Sequence, residues 1–274
     1  MSSLSWDSLP EVALVVTAGA YCAGVSDTWT RVGPGRIIRR WHAGCFLGGV
    51  LIAALAIASP FDGLADRSLP AHMAQHVILL MLVGPLLALG RPMEALAGLL
   101  SATARRRARR IPVSLARSAV AEGWAVMATV AVLVKSAVVL AWHLPGPYQL
   151  AVRNEAVHGL EHISLIVVSA GLWWVVLGAG RPHPAPGGIL ALFASNVPMT
   201  FLGVAMLVAR TPWYPVYGSS LDPQQSAGAV LWGFGGAIMV IEGVAVFGWW
   251  LATSDSDTDL GAATPADFPA PARS

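Results

Sequence analysis

Seven apolar runs, most of them close to twenty residues long, dominate this chain of 274 residues. A helix rises 1.5 Å per residue, so about twenty apolar residues cross the ~30 Å hydrocarbon core of a bilayer. Composition agrees. Hydrophobic residues make up 55% of the chain and charged residues 12%, against roughly 25% charged in a soluble domain. The chain reads as an all-α integral membrane protein, a polytopic bundle of seven transmembrane helices.

The expected spans are residues 9–25, 41–59, 69–89, 118–142, 157–177, 188–209 and 227–251. Residues 1–253 form one transmembrane domain. Residues 254–274, rich in Asp, Ala and Pro, read as a disordered cytoplasmic tail. No positive segment precedes the first span, so it is not a typical secretory signal. Residues 60–67 are expected as a short turn-rich loop, and Arg181-Pro182-His183-Pro184-Ala185-Pro186-Gly187 as a turn. Pro198, beside Asn196, predicts a kink near mid-depth of the sixth span. Cys22 and Cys45 fall near the same end of neighbouring spans and read as buried apolar cysteines without a disulfide framework, with a small thiol site as the alternative.

Charge fixes the expected orientation. The connections after spans one, three and five hold twelve arginines, and those after spans two, four and six hold three, Arg67, Arg153 and Arg210. The positive-inside rule puts the N-terminus outside and the C-terminus in the cytoplasm. The block Arg105-Arg106-Arg107-Ala108-Arg109-Arg110 reads as a topology determinant that contacts lipid headgroups. No basic module for nucleic acid accompanies it.

That topology gathers five of the seven histidines at the outer rim. His72-Met73-Ala74-Gln75-His76 and His158-Gly159-Leu160-Glu161-His162 each open an inward-going helix, and Trp142-His143 closes an outward-going one. Histidines four apart share one helix face, their Cβ atoms about 6 Å apart. Single histidines at an interface often cap helices or simply tolerate the headgroup region. Two such pairs and a fifth at the same depth suggest a metal site, because neutral imidazole is the commonest metal ligand. Thioether sulfur biases such a site toward Cu(I). Met73 and Met206 could supply it, although methionines at these positions also serve as ordinary core residues.

Two charged groups lie inside spans. Lys135, the only lysine, sits about two turns below the outer surface, and Glu161 is its expected partner, with outward snorkelling as the alternative. Glu242 lies deeper in span seven, with no partner identifiable from sequence. Three further chemistries compete. Haem would leave one histidine of each adjacent pair redundant. His158-Gly159-Leu160-Glu161-His162 matches the H-x-x-E-H metalloprotease pattern with Glu161 as base, but no third ligand is evident. A transporter for copper or another solute would use helix breaks such as Asn196-Val197-Pro198 and Pro85.

Four segments resemble the CtaG-type cytochrome c oxidase assembly proteins: Ala71-His72-Met73-Ala74-Gln75-His76 with Gly84-Pro85-Leu86-Leu87-Ala88-Leu89-Gly90, Trp142-His143-Leu144-Pro145, the second histidine pair, and Asp222-Pro223-Gln224-Gln225-Ser226-Ala227-Gly228 leading into Trp232. The resemblance covers about residues 40–250. That family is polytopic and bacterial, and differs from the single-span copper donor that shares its name. The resemblance implies a non-enzymatic role in maturing haem-copper oxidases of the caa type, in the bacterial plasma membrane. It implies copper, as Cu(I) or Cu(II), supplied to oxidase subunits. A copper-donor chaperone and a second copy of the chain are further expected partners. Carried over by position, its motif histidines are His72, His76, His143, His158 and His162, with Asp222, Gln224 and Gln225 at the same face.

Overall fold

The computed structural model describes residues 9–57, 60–100, 116–178 and 187–262. All of its regular structure is helical, and seven helices are long and apolar enough to cross a membrane. Span one is the helix Leu9–Val32, span two Arg40–Ile57 and span three Leu69–Leu89. Span four is Ala116–Trp142, span five Glu155–Val176 and span six Gly188–Val208. Span seven begins at Asp222, and its last helical segment is Gly235–Ala262.

Span three is the hub. Two-thirds of its hydrophobic window (67%) is buried, against 44% or less in every other span. It packs against spans two, five and seven, while span four packs against five and six, and six against seven. The outward faces stay apolar: Val15, Leu190, Phe201 and Val208 are all more than 70% exposed. In water such a surface would be an aggregation liability, and in a bilayer it is the lipid-facing side.

Span three is not a uniform α-helix. Leu79–Val83 forms a π-helical turn just before Gly84-Pro85, and Val230–Phe234 forms another in span seven. Pro85 lacks an N–H, so the ladder before it must be satisfied otherwise. The Ser169 hydroxyl from span five donates to the Leu80 carbonyl. That bond requires close backbones, and Gly84 permits it. A Cβ there would lie 2.6 Å from Ser169 Cβ. Spans six and seven meet in the same way at Gly203 and Gly228, where a Cβ on Gly203 would lie 2.9 Å from the Gly228 carbonyl oxygen.

Several boundaries differ from expectation. Span one runs seven residues beyond Val25 because its polar end is internally satisfied: Arg31 pairs with Asp27 at 2.5 Å, and Thr30 donates to the Ser26 carbonyl. Pro60–Ala65 is a short helix rather than a loop. The connection after span three contains the helix Pro92–Leu99, packed on span one. Pro145–Arg153 is a further helix, started by prolines whose missing N–H costs nothing in a first turn. Asn154 caps span five by accepting from the Val157 N–H, which moves its start to Glu155.

Span seven starts at Asp222 rather than 227, and its helix continues through residue 262, past the expected start of the tail. Cys22 is exposed and Cys45 is half-buried, so neither is the buried core cysteine expected. The arginine block at 105–110, the 181–186 part of the turn and residues 263–274 lie outside the described residues.

Candidate metal centre

Spans three and five run parallel, and each carries its histidine pair at the fourth and eighth residues of the helix. Matching positions therefore meet at matching depth. The His72 and His158 rings stack with centroids 5.1 Å apart, and the His76 and His162 rings lie 5.8 Å apart, edge to face. Glu161, completely buried, points between them. Its Oε1 is 3.5 Å from His76 Nε2, and its Oε2 is 3.9 Å from His72 Nε2.

His143 reaches the cluster from the turn after span four, which is bound to its neighbours on two sides. The Trp142 indole N–H donates to Ser164 of span five at 2.8 Å, and the Tyr214 hydroxyl donates to the His143 carbonyl at 2.6 Å. The His143 Nδ1 lies 2.7 Å from the Val139 carbonyl oxygen. A carbonyl only accepts, so this nitrogen carries the proton and Nε2 keeps its lone pair. That Nε2 faces His76 Nδ1 at 3.3 Å, which assigns the second proton to His76 Nδ1. His76 Nε2 is thereby left bare, aimed at the cluster. Burial holds the His143 imidazole down at about 4, opposed by its bond to Val139, so it is neutral at physiological pH.

Seven buried atoms converge here without a hydrogen-bond partner among the described residues: both nitrogens of His72, the Nε2 of His76, His158 and His162, and both oxygens of Glu161. Each unsatisfied buried polar atom costs about 1–3 kcal/mol. Concentrated at one point, such atoms fit a cation. Two triads have the reach to hold one: His72, His76 and His162, and His72, His158 and Glu161. In each, the ligand atoms all lie within 4.8 Å of one another.

The sequence-predicted residues divide accordingly. His72, His76, His158, His162 and Glu161 converge, and His143 stands directly behind His76. Met73 and Met206 are fully buried in one apolar cluster, Met73 on the stripe Leu69, Met73, Val77 and Leu80. Asp222 is exposed at the start of span seven and belongs to neither triad. Its neighbour Gln224 is buried instead, accepting from the Trp213 N–H at 2.6 Å. Lys135 does not pair with Glu161. Its ammonium donates to the Ser195 hydroxyl at 3.2 Å, and its charge partner is Glu242 of span seven.

Sequence reasoning missed three participants. Gln75, between the two histidines of span three, donates at 2.7 Å to the Ala56 carbonyl and at 2.7 Å to Asp62. A glutamine inside an apolar span was the available signal. Asp62 is held up above its ordinary value by burial, against the Gln75 bond. Tyr148, fully buried, packs its ring 5.1 Å from His72 and closes one side of the cluster. It gave no signal, because its helix was not foreseen.

Two mycobacterial proteins are similar over most of this chain: uncharacterized protein Mb0105 of Mycobacterium bovis and uncharacterized protein MT0111 of Mycobacterium tuberculosis. Each is 28% identical over 265 residues, covering 89% of this chain and 39% of the relative. The chain thus spans about two-fifths of the length of these relatives. No solved structure matches it. The cytochrome c oxidase caa3 assembly factor family (Caa3_CtaG) matches residues 19–253, which include every helix of the histidine cluster. That is a family of assembly factors rather than enzymes. Its match covers most of the chain, and the protein belongs to the cytochrome c oxidase caa3 assembly factor family.

Proposed function

We propose that the protein binds a copper ion at the histidine cluster and supplies it to a haem-copper oxidase subunit during assembly. The observation that carries this reading is the convergence of the Nε2 atoms of His72, His76, His158 and His162 with both oxygens of Glu161, none with a hydrogen-bond partner among the described residues. Copper is the cargo here. Neutral imidazoles suit it, and His72, His76, His158 and His162 are the residues that would hold it. His143 fixes the tautomer and ring plane of His76 from behind, in the place that carboxylates, carbonyls or water take behind metal-ligating histidines.

The arginine asymmetry supports an orientation with this end of the bundle outside, in a bacterial plasma membrane. There the cluster would face the side on which an oxidase subunit or a copper-donor chaperone can reach it. A homodimer would present two such sites. The test is elemental analysis of the purified full-length protein, with X-ray absorption reporting nitrogen ligands. Substituting His72 and His76 together by alanine is expected to abolish bound copper at normal membrane abundance. Full copper occupancy in that double variant would sink the assignment.

One observation favours a transport reading as the second. The Asn196 and Glu242 side chains each bury an oxygen with no hydrogen-bond partner among the described residues, in spans six and seven, and Lys135 of span four donates to Ser195 of span six. Copper flux into reconstituted vesicles that depends on Glu242, and not on His72 and His76, would favour it.

A further inference from the structure

The cluster is two overlapping ligand sets. His76 and His162 lie one helical turn further into the bundle than His72 and His158, about 5–6 Å along the axis. The deep set, His72, His76 and His162, is fully buried and made only of imidazoles. The shallow set, His72, His158 and Glu161, contains the one member that is only partly buried, His158, and a carboxylate. His72 belongs to both. Neither of its ring nitrogens is hydrogen-bonded to a partner among the described residues, whereas His143 fixes one nitrogen of His76. Glu161 spans the step, with one oxygen toward His76 and the other toward His72.

Acidic groups continue the series outward. His158 lies within electrostatic reach of Asp62 and Asp66. Asp66 is exposed, and Asp62 is half-buried and held by Gln75. From the surface inward the groups thus run from exposed carboxylate, through carboxylate with imidazole, to imidazole alone. That order suits a hydrated cation that sheds water in steps, because negative charge is present while it is desolvated.

We infer, on the strength of the copper reading above, that the shallow set is a capture site and the deep set a holding site, with His72 carrying the ion between them. The ion keeps its bond to His72 while those to His158 and Glu161 are exchanged for bonds to His76 and His162. Its oxidation state does not change. No proton moves if His76 and His162 offer their bare Nε2 lone pairs. One ion at a time occupies the pair of sets, since both draw on His72.

The experiment uses the full-length protein in detergent, loaded anaerobically with Cu(I), and follows copper uptake and its loss to a soluble Cu(I) chelator. The wild type is expected to hold one copper per chain. In H158A both uptake and release are expected to slow by roughly tenfold or more. H162A is expected instead to lose its retained copper while uptake at the shallow set stays fast. D66N, which alters an exposed residue and no ligand, is expected to slow uptake and weaken its dependence on salt. Equal loss of retained copper in H158A and H162A would mean a single four-ligand site and overturn the relay. So would wild-type rates in both H158A and D66N, or two coppers per wild-type chain. A wild type that binds no copper overturns the copper reading itself, and the relay with it.

Discussion

The Nδ1 of His76 and the Nε2 of His143 face each other at 3.3 Å, and this contact separates one histidine of the cluster from the other four. His143 spends its own Nδ1 on the Val139 carbonyl and its Nε2 on His76, so neither nitrogen is left for a metal. On the copper reading, it orients a ligand. Removing such an orienting partner typically costs 10–100-fold in metal affinity. H143A is therefore expected to weaken copper binding by about that factor, and H76A by more. H143Q, whose amide oxygen can accept from His76 Nδ1, is expected to recover part of the loss. Chelator competition on the three variants checks this. Equal losses in H143A and H76A, with no recovery in H143Q, would make His143 a ligand.

Gly84 sets the separation of the two helices that carry the histidine pairs. Its missing side chain admits Ser169 and the Ala170 backbone, which a Cβ would approach to 3.2 Å at the amide nitrogen. G84V is expected to cost roughly 1–3 kcal/mol through overpacking and to lower copper affinity, because spans three and five are forced apart. Gly236 has open space where a Cβ would sit, so G236A is the comparison, neutral or slightly stabilising. Thermal unfolding in detergent, with copper titration of each variant, separates the two.

Lys135 and Glu242 oppose each other across spans four and seven, away from the histidines. K135M leaves Glu242 buried without its counter-charge and is expected to destabilise the protein by a few kcal/mol. The double variant K135M/E242L, which removes both charges, is expected to recover much of that. Copper binding should be retained in the double variant, because neither residue lines the cluster. Loss of copper binding there at recovered stability would tie this pair to the metal site after all.

Asp62 gives the fold a pH dependence whose sign follows from its surroundings. Burial raises its folded value above the ordinary 3.8, and the Gln75 N–H···O bond, which favours the charged form, pulls it back. The folded protein therefore binds the proton more readily than the unfolded chain. Its contribution to stability is greatest below pH 3.8 and declines as pH rises through the folded value. Q75L removes the opposing bond, so that decline should extend to higher pH, and D62N should abolish it. Melting temperatures of the wild type, Q75L and D62N across this range check the ordering.

Much of this was legible from local rules. Apolar runs report span number because each helix must satisfy its own backbone in the bilayer, a constraint that acts within a segment. The four-residue spacing of His72 with His76, and of His158 with His162, places both rings on one face for the same reason. Trp142-His143 could be placed at the same depth by counting residues from the span ends. Glu161 could be placed near that depth too, and Glu242 could be placed deeper but not assigned a partner. Lys135 and Glu161 seemed paired by depth, yet rotation about the helix axes turns Lys135 to Ser195 and Glu242.

The amino-acid sequence by itself determined seven spanning helices, most of their limits to within a turn or so but not the ends of spans one and seven, and histidines collected at one end. Periodicity and hydropathy are properties of a segment, and a segment carries them wherever it packs. The tertiary structure decided which nitrogens remain bare, which histidine stands behind another, and that Glu161 faces His72 and His76 rather than a lysine. Those outcomes depend on helix rotation and separation, set by contacts such as Gly84 against Ser169 between residues far apart in the chain.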